Sequence, residues 1–237
     1  MIYRPRVSRS LATPLASRRV VVGSLVALAI VLAVGFAVAD SPGWTSGELR
    51  VVEQLNREHT PFLDTMALAV NWLFSPAIAA VVLLLAAALV CIATRRWRVG
   101  LRVLLTAGLS WLGSDVIKRV IQRPRPDQSV LEHTLIHEVS ASYPSGHTAF
   151  VAALGFALVM LLRRSRSRWR LVWMIVAALC AVTVGLTRIY LGVHYPTDVA
   201  ASIVYAAGSV IVITAAWEWG FSLVSTGSAP KPPQSRR

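Results

Sequence analysis

Residues 20–39, VVVGSLVALAIVLAVGFAVA, contain no charged side chain and directly follow Arg18-Arg19. Wound as a helix, such a stretch is about 30 Å long, the thickness of a bilayer's hydrocarbon core. Working outward from it, five further apolar runs follow. Residues 65–94 hold Pro76 and end at Arg95-Arg96-Trp97-Arg98. Val103 to Ser114 continues into Asp115 and Lys118, and the set closes with 148–162, 171–187 and 199–217. These runs predict an all-α, polytopic membrane protein with about six transmembrane helices. Composition agrees: of 237 residues, 55% are hydrophobic and 15% charged, with a mean hydropathy of +0.60. Soluble domains carry about 25% charged residues, and a disordered chain needs low hydrophobicity. Both classes are excluded. The expected organisation is a basic cytoplasmic N-terminus over 1–19, a six-helix membrane domain over 20–220 and a disordered cytoplasmic tail over 221–237. Cys91 and Cys180 both lie in apolar runs, so neither a disulfide framework nor a metal cluster is expected.

The net charge of +13, from 24 basic and 11 acidic residues, invites a nucleic-acid reading. Its distribution argues for topology instead. With the N-terminus in the cytoplasm and alternating spans, inside segments hold 17 basic residues: five before residue 20, four in 95–102, five in 163–170 and three in the tail. The outside holds seven, namely Arg50, Arg57, Lys118, Arg119, Arg123, Arg125 and Arg188. This is the positive-inside pattern, and no nucleic-acid partner is expected. Ala37-Val38-Ala39 looks like a signal-peptidase site. The apolar stretch exceeds the usual ~7–15 residues of a signal peptide, which favours a retained helix. Residues 40–60 read as an outer loop with an amphipathic helix at the interface, carried by Leu49, Val52 and Leu55.

Four of the seven outside basic residues crowd into 118–125, beside a helix end. Ionisable groups at membrane depth are expensive, and their default explanation is function. Two other outer segments carry matching chemistry. Tyr143-Pro144-Ser145-Gly146-His147 precedes the fourth run, where the free amides and positive dipole of a helix start can hold an anion. Ser145 is placed to cap that helix, and Gly146 lets a ligand approach the backbone. A plain capping motif would leave His147 unexplained. The third segment runs from Thr187-Arg188 through His194-Tyr195-Pro196-Thr197 to Asp198. Asp198 follows His194 by four residues, so its carboxylate can bond one imidazole nitrogen and leave the other free as a nucleophile. Cations, helix-start amides and two histidines on one face suit phosphoryl transfer.

Taken together, Lys118-x6-Arg125-Pro126, Pro144-Ser145-Gly146-His147 and Arg188-x5-His194-x3-Asp198 resemble the three-part signature of the type 2 phosphatidic acid phosphatase (PAP2) superfamily. Bacterial lipid phosphatases, undecaprenyl-diphosphate phosphatases and soluble vanadium haloperoxidases share it. One departure is visible, since Thr187 stands where a serine is usual. The resemblance implies that His194 attacks phosphorus to form a phosphohistidine, with Asp198 orienting it. It implies that His147 protonates the leaving oxygen and then activates water, with no metal or other cofactor. Lys118, Arg125, Arg188, Ser145 and the Gly146 amide would hold the phosphate oxygens, and Arg123 joins them as a further candidate. The implied partners are a lipid phosphate substrate and the surrounding membrane lipids.

The leading expectation is therefore a phosphatase in the plasma membrane with its active site on the extracytoplasmic face. A polyprenyl diphosphate such as undecaprenyl or decaprenyl diphosphate is favoured, with phosphatidic acid or phosphatidylglycerophosphate as alternatives. An anion or lipid transporter is the reading from another class, and the His194–Asp198 pair argues against it. Six spans argue against a soluble haloperoxidase. His133-x3-His137 with Glu138 has a spacing compatible with metal ligands, but a pair in a polar loop reads as plain loop. Asp115 and Asp127 read as solvated or salt-bridged, and Trp72, Trp111, Trp217 and Trp219 as interface anchors or packing.

Overall fold

A computed structural model describes residues 17–162 and 168–226. Of the tail 221–237 that was expected to be disordered, 221–226 continue the last helix and 227–237 lie outside the described residues, as do the first 16 residues. Helix α1 (Arg18–Ala39) is capped by Ser17, whose side chain accepts from the Val20 amide. Helix α2 (Pro42–Asn56) is amphipathic as expected, but its apolar face turns into the protein rather than toward a membrane interface. Its Leu49, Val52 and Leu55 pack against Ile189, Tyr195 and Val199. The run 65–94 is not one helix. It divides into α3 (Pro61–Leu73) and α4 (Pro76–Thr94). Proline lacks the amide that a helix interior needs but fits a first turn, so Pro76 starts α4 rather than continuing α3. Helix α5 (Trp97–Ile121) ends at Gln122 in the left-handed region, φ 51°. Helices α6 (Gly146–Leu161), α7 (Arg168–Tyr190) and α8 (Pro196–Thr226) complete the described residues, which contain no strand. Helix α8 thus runs past residue 220, where the membrane domain was expected to end.

Among the described residues, four helices are long and apolar enough to cross a membrane: α1, α4, α7 and α8. The expected six included α5, whose ends carry charges, and α6, whose 16 residues span only about 24 Å. Both pack at the centre. Helix α6 contacts α5, α7 and α8, while α1 lies on α8 and α4 on α5. Burial follows this order: 50% of the spanning window of α8 is buried, against 17% for α1 and α4. The outer helices turn Leu25, Ile30, Leu84, Leu89 and Ile92 outward, as lipid-facing surfaces do. The chain is a multi-pass membrane protein.

Small residues let the central helices approach. Ala149, Ala152, Ala153 and Ala157 of α6 are buried, and Phe150 fills the gap against Phe74 and Trp111. Ser110 and Ser209 share a hydrogen bond of 2.6 Å between α5 and α8, and the Tyr205 hydroxyl donates to the Ser110 carbonyl. At Gly113 any side chain would strike that tyrosine oxygen. The short α6 is preceded by a buried loop, residues 142–145, anchored where the Tyr143 hydroxyl donates to the Val31 carbonyl of α1 at 2.6 Å. This loop sets the height at which α6 begins.

Candidate active site

Three chain segments meet above the ends of α5, α6 and α7. The Ser145 amide donates to the Asp198 carbonyl, and the Ser202 hydroxyl bonds both the Asp198 and Ser145 carbonyls. The start of α6 is thereby locked to the start of α8. Between α7 and α8 the chain turns at Gly192, φ 68°, where a Cβ would also collide with Leu131. That turn presents His194, 1% exposed.

The contacts of His194 define its tautomer. Nε2 lies 3.2 Å from Nη1 of Arg125, and a guanidinium can only donate, so Nε2 accepts. The proton therefore sits on Nδ1, which faces Oδ2 of Asp198 at 3.4 Å. Burial pushes the imidazole's pKa well below the ordinary histidine value, and Arg125, Arg188 and Lys118 push the same way. His194 is neutral, with a lone pair on Nε2.

Lys118, Arg125, Gly146 and His147 line one cavity of about 1180 Å³. Its wall continues through Asn71, Trp111 and Asp115. Arg188, fully buried, donates to Oδ1 of Asn71 at 2.5 Å and to Glu138. Glu138 also pairs with Arg125 at 2.6 Å. One carboxylate therefore spans both guanidiniums. Its own burial works to raise the Glu138 pKa, but Arg188 and Arg125 outweigh it and hold the group at about 2. Nε2 of His147 lies 3.4 Å from the Asn71 carbonyl, so Asn71 touches both His147 and Arg188.

The sequence-derived residues divide accordingly. His194, Asp198, Arg125, Arg188, Lys118, Gly146 and His147 are brought together. Ser145 occupies the expected capping position of α6, but its side chain makes no capping bond. It is fully buried and accepts from the Thr148 hydroxyl at 3.1 Å instead. Arg123 does not join the anion group. It is 1% exposed and closed on Asp198 and Glu48, at 2.7 Å each. Glu138, read as a loop residue, belongs to the site. Its neighbours His133 and His137 do not: His133 stacks on His59, and Nδ1 of His137 meets Gln128 at 2.8 Å. Asp127 caps a short turn at Ser129. Among the described residues no group of three or more His, Cys, Asp or Glu could hold a metal ion. Asn71 and Glu48 were missed, although each had a signal. Asn71 is a polar residue inside an apolar run, and Glu48 is an acid one residue before Leu49 on an amphipathic helix.

An all-helical membrane frame with two histidines and a cationic cavity above its central helices defines a class, and sequence comparison names it. The profile of the PAP2 superfamily matches residues 99–221, and the chain belongs to that superfamily. Phosphatidylglycerophosphatase B of Bacillus subtilis (strain 168) is 40% identical over 104 residues, covering 42% of this chain and 49% of that protein. Undecaprenyl-diphosphatase BcrC of the same organism is 37% identical over 107 residues, covering 43% and 51%. The chain thus spans about half the length of the curated relatives it matches. The crystal structure of the transmembrane PAP2 type phosphatidylglycerolphosphate phosphatase from Bacillus subtilis superimposes with a TM-score of 0.66 at 25% identity, over 86% of this chain and 96% of that one.

Proposed function

We propose that this protein hydrolyses a lipid phosphate or diphosphate at the extracytoplasmic face of the plasma membrane, through a phosphohistidine on His194. The observation that carries this reading is the fixed tautomer of His194, with Nδ1–H toward Asp198 and the Nε2 lone pair beside Arg125. In the first step Nε2 bonds to phosphorus as the bond to the leaving oxygen breaks, and His147 protonates that oxygen. The incoming phosphate's negative charge favours the protonated form of His147. In the second step His147 takes a proton from water, the water oxygen bonds to phosphorus, and the P–N bond breaks to release inorganic phosphate. Lys118, Arg125, Arg188 and the Gly146 amide stabilise the equatorial oxygens throughout.

The cavity wall formed by Asn71, Phe74 and Pro76 of α3 and α4 and by Trp111 and Leu112 of α5 is largely apolar. It lets a lipid keep its tail in hydrocarbon while its phosphate reaches His147. A polyprenyl diphosphate is the first substrate class, in line with the likeness to undecaprenyl-diphosphatase BcrC. A phosphatidylglycerophosphate is the second, favoured by the 96% coverage of the solved relative. The deciding experiment is phosphate release by the purified, detergent-solubilised protein from both lipids, with and without EDTA. Turnover is expected to survive EDTA and to vanish in His194→Ala. A tenth of wild-type activity in a clean His194→Ala preparation would show that His194 is not the nucleophile.

A further inference from the structure

Arg123 stands two residues before Arg125, yet it serves a different purpose. Its Nη1 donates to Oδ1 of Asp198 and to the Thr197 hydroxyl, and its Nη2 donates to Oε2 of Glu48, each at 2.7 Å. Its guanidinium lies 4.1 Å over the ring of Tyr195, whose amide donates to Oδ2 of Asp198 at 2.9 Å. Glu48 is held in turn by the Thr197 amide at 2.7 Å, the Thr197 hydroxyl at 2.8 Å and the Trp44 indole at 3.0 Å. The network joins α2, the segment after α5 and the first turn of α8.

Two physical points separate this network from simple anchoring. Burying three charged groups is seldom repaid in stability, and apolar packing would anchor α2 as well or better. The network also ends on one atom that matters to the reaction. Oδ2 of Asp198 is the acceptor for Nδ1–H of His194, and Oδ1 is taken by Arg123, so the carboxylate cannot rotate without breaking a charge-assisted bond. A carboxylate free to turn away would release the imidazole to the other tautomer, with its proton on Nε2 where the lone pair is needed.

We propose that Arg123, clamped by Glu48 of α2, is a positioning residue that fixes the Asp198 carboxylate and through it the reactive tautomer of His194. This rests on His194 being the nucleophile, and the test separates the two claims. Steady-state kinetics are measured in detergent with farnesyl diphosphate and with dioctanoyl phosphatidylglycerophosphate. Arg123→Gln is expected to lower kcat about 100-fold with KM within about twofold, the upper range for a residue supporting a first-contact group. Arg123→Lys should recover part of that loss. Arg123→Gln combined with Asp198→Asn should be no slower than Asp198→Asn alone, because both act through one carboxylate. Where Arg123→Gln fails to fold, Glu48→Gln decides, with an expected fall in kcat of about fivefold at unchanged KM. With His194→Ala inactive, a kcat within threefold of wild type in folded Arg123→Gln, or in Glu48→Gln where that variant decides, overturns the proposal alone. So does a defect that multiplies in full with that of Asp198→Asn. Activity in His194→Ala overturns the underlying reading, and the proposal with it.

Discussion

Arg123 and Arg125 leave the same stretch of chain and meet opposite fates. Arg123 is closed on two carboxylates from α2 and α8, while Arg125 faces the cavity, touches His194 and shares a loop carboxylate with Arg188. The partners of Arg123 sit on helices locked by many other contacts. The carboxylate partner of Arg125 is Glu138, in the long loop between α5 and α6, where the adjacent Val139 is fully exposed; the guanidinium also donates to the Ser140, Ala141 and Val193 carbonyls. A cation with fixed partners can hold another group in place, and it has nothing left for a ligand. A cation whose partner can leave is ready to exchange one anion for another. A carboxylate bridging two guanidiniums also has the geometry that phosphate adopts with arginine. Glu138 thus bridges the two guanidiniums as an anion bound between them would.

The largest expected effect tests the open half of this contrast. Arg125→Gln should cut kcat/KM about 1000-fold, the scale for losing one charge-stabilising donor in a transition state. It should also weaken inhibition by orthovanadate, whose five-coordinate form resembles the phosphoryl transition state. Arg123→Lys should weaken orthovanadate inhibition far less, because it removes no group that touches the anion. Equal weakening in both variants would erase the distinction between a binding and a positioning arginine.

The next effect is on stability and runs the other way. Replacing Arg123 by Gln strands two buried carboxylates, a loss of about 3–5 kcal/mol for a broken buried pair. Arg125 donates to the Ser140 carbonyl and hydroxyl and to the Ala141 and Val193 carbonyls, but strands one carboxylate rather than two, so Arg125→Gln should cost less, about 2 kcal/mol, the scale of a few lost hydrogen bonds. Thermal inactivation midpoints in one detergent would rank the two. A less stable Arg125→Gln would mean that the cavity wall, rather than the Arg123 network, holds the loops together.

The same contrast marks what could be read from the sequence. Spans and motifs were legible because each has a local signature: uncharged runs of bilayer length, a histidine at a helix start, a carboxylate four residues after a histidine. Arg123 was misassigned because one basic residue in a cluster looks like the next. Only the fold reveals that Glu48, 75 residues upstream, reaches it. Glu138 was passed over because its loop has no periodicity, and its role depends on Arg188, 50 residues further on. The division of 65–94 at Pro76 was visible in the sequence, yet hydropathy alone runs through it. Long-range pairing of charges is where local patterns stop being informative.

A smaller effect concerns Glu138 itself. Its pKa is held at about 2 against an ordinary 4.5, so the arginine clasp contributes fully above pH 4.5 and is lost as pH falls toward 2. The stability gap between ligand-free wild type and Glu138→Gln should therefore be flat from pH 5.5 to 8 and shrink below 4.5. If the carboxylate competes with the incoming anion, Glu138→Gln should bind orthovanadate about fivefold more tightly, the worth of about 1 kcal/mol from one partly screened charge. Looser binding would show that Glu138 stays in place and assists the anion instead of yielding to it.

The smallest perturbation asks on which side of the membrane the cavity opens. With the N-terminus in the cytoplasm, as proposed, the segments assigned inside hold 17 basic residues against seven outside. Of those seven, Lys118, Arg119 and Arg125 line the cavity, Arg188 pairs with Glu138 on its wall and Arg123 belongs to the buried network, which leaves Arg50 and Arg57. The bias that sets orientation is therefore stronger than the raw count. Val139 is fully exposed and lies beside Glu138, so a cysteine there reports the face onto which the cavity opens. In a protein whose Cys91 and Cys180 are replaced by alanine, Val139→Cys should react with a membrane-impermeant maleimide in intact cells. Ser167→Cys, in the connection between α6 and α7, should react only after the membrane is permeabilised. The reverse labelling pattern would place the cavity mouth, and the lipid pool it can reach, on the cytoplasmic side.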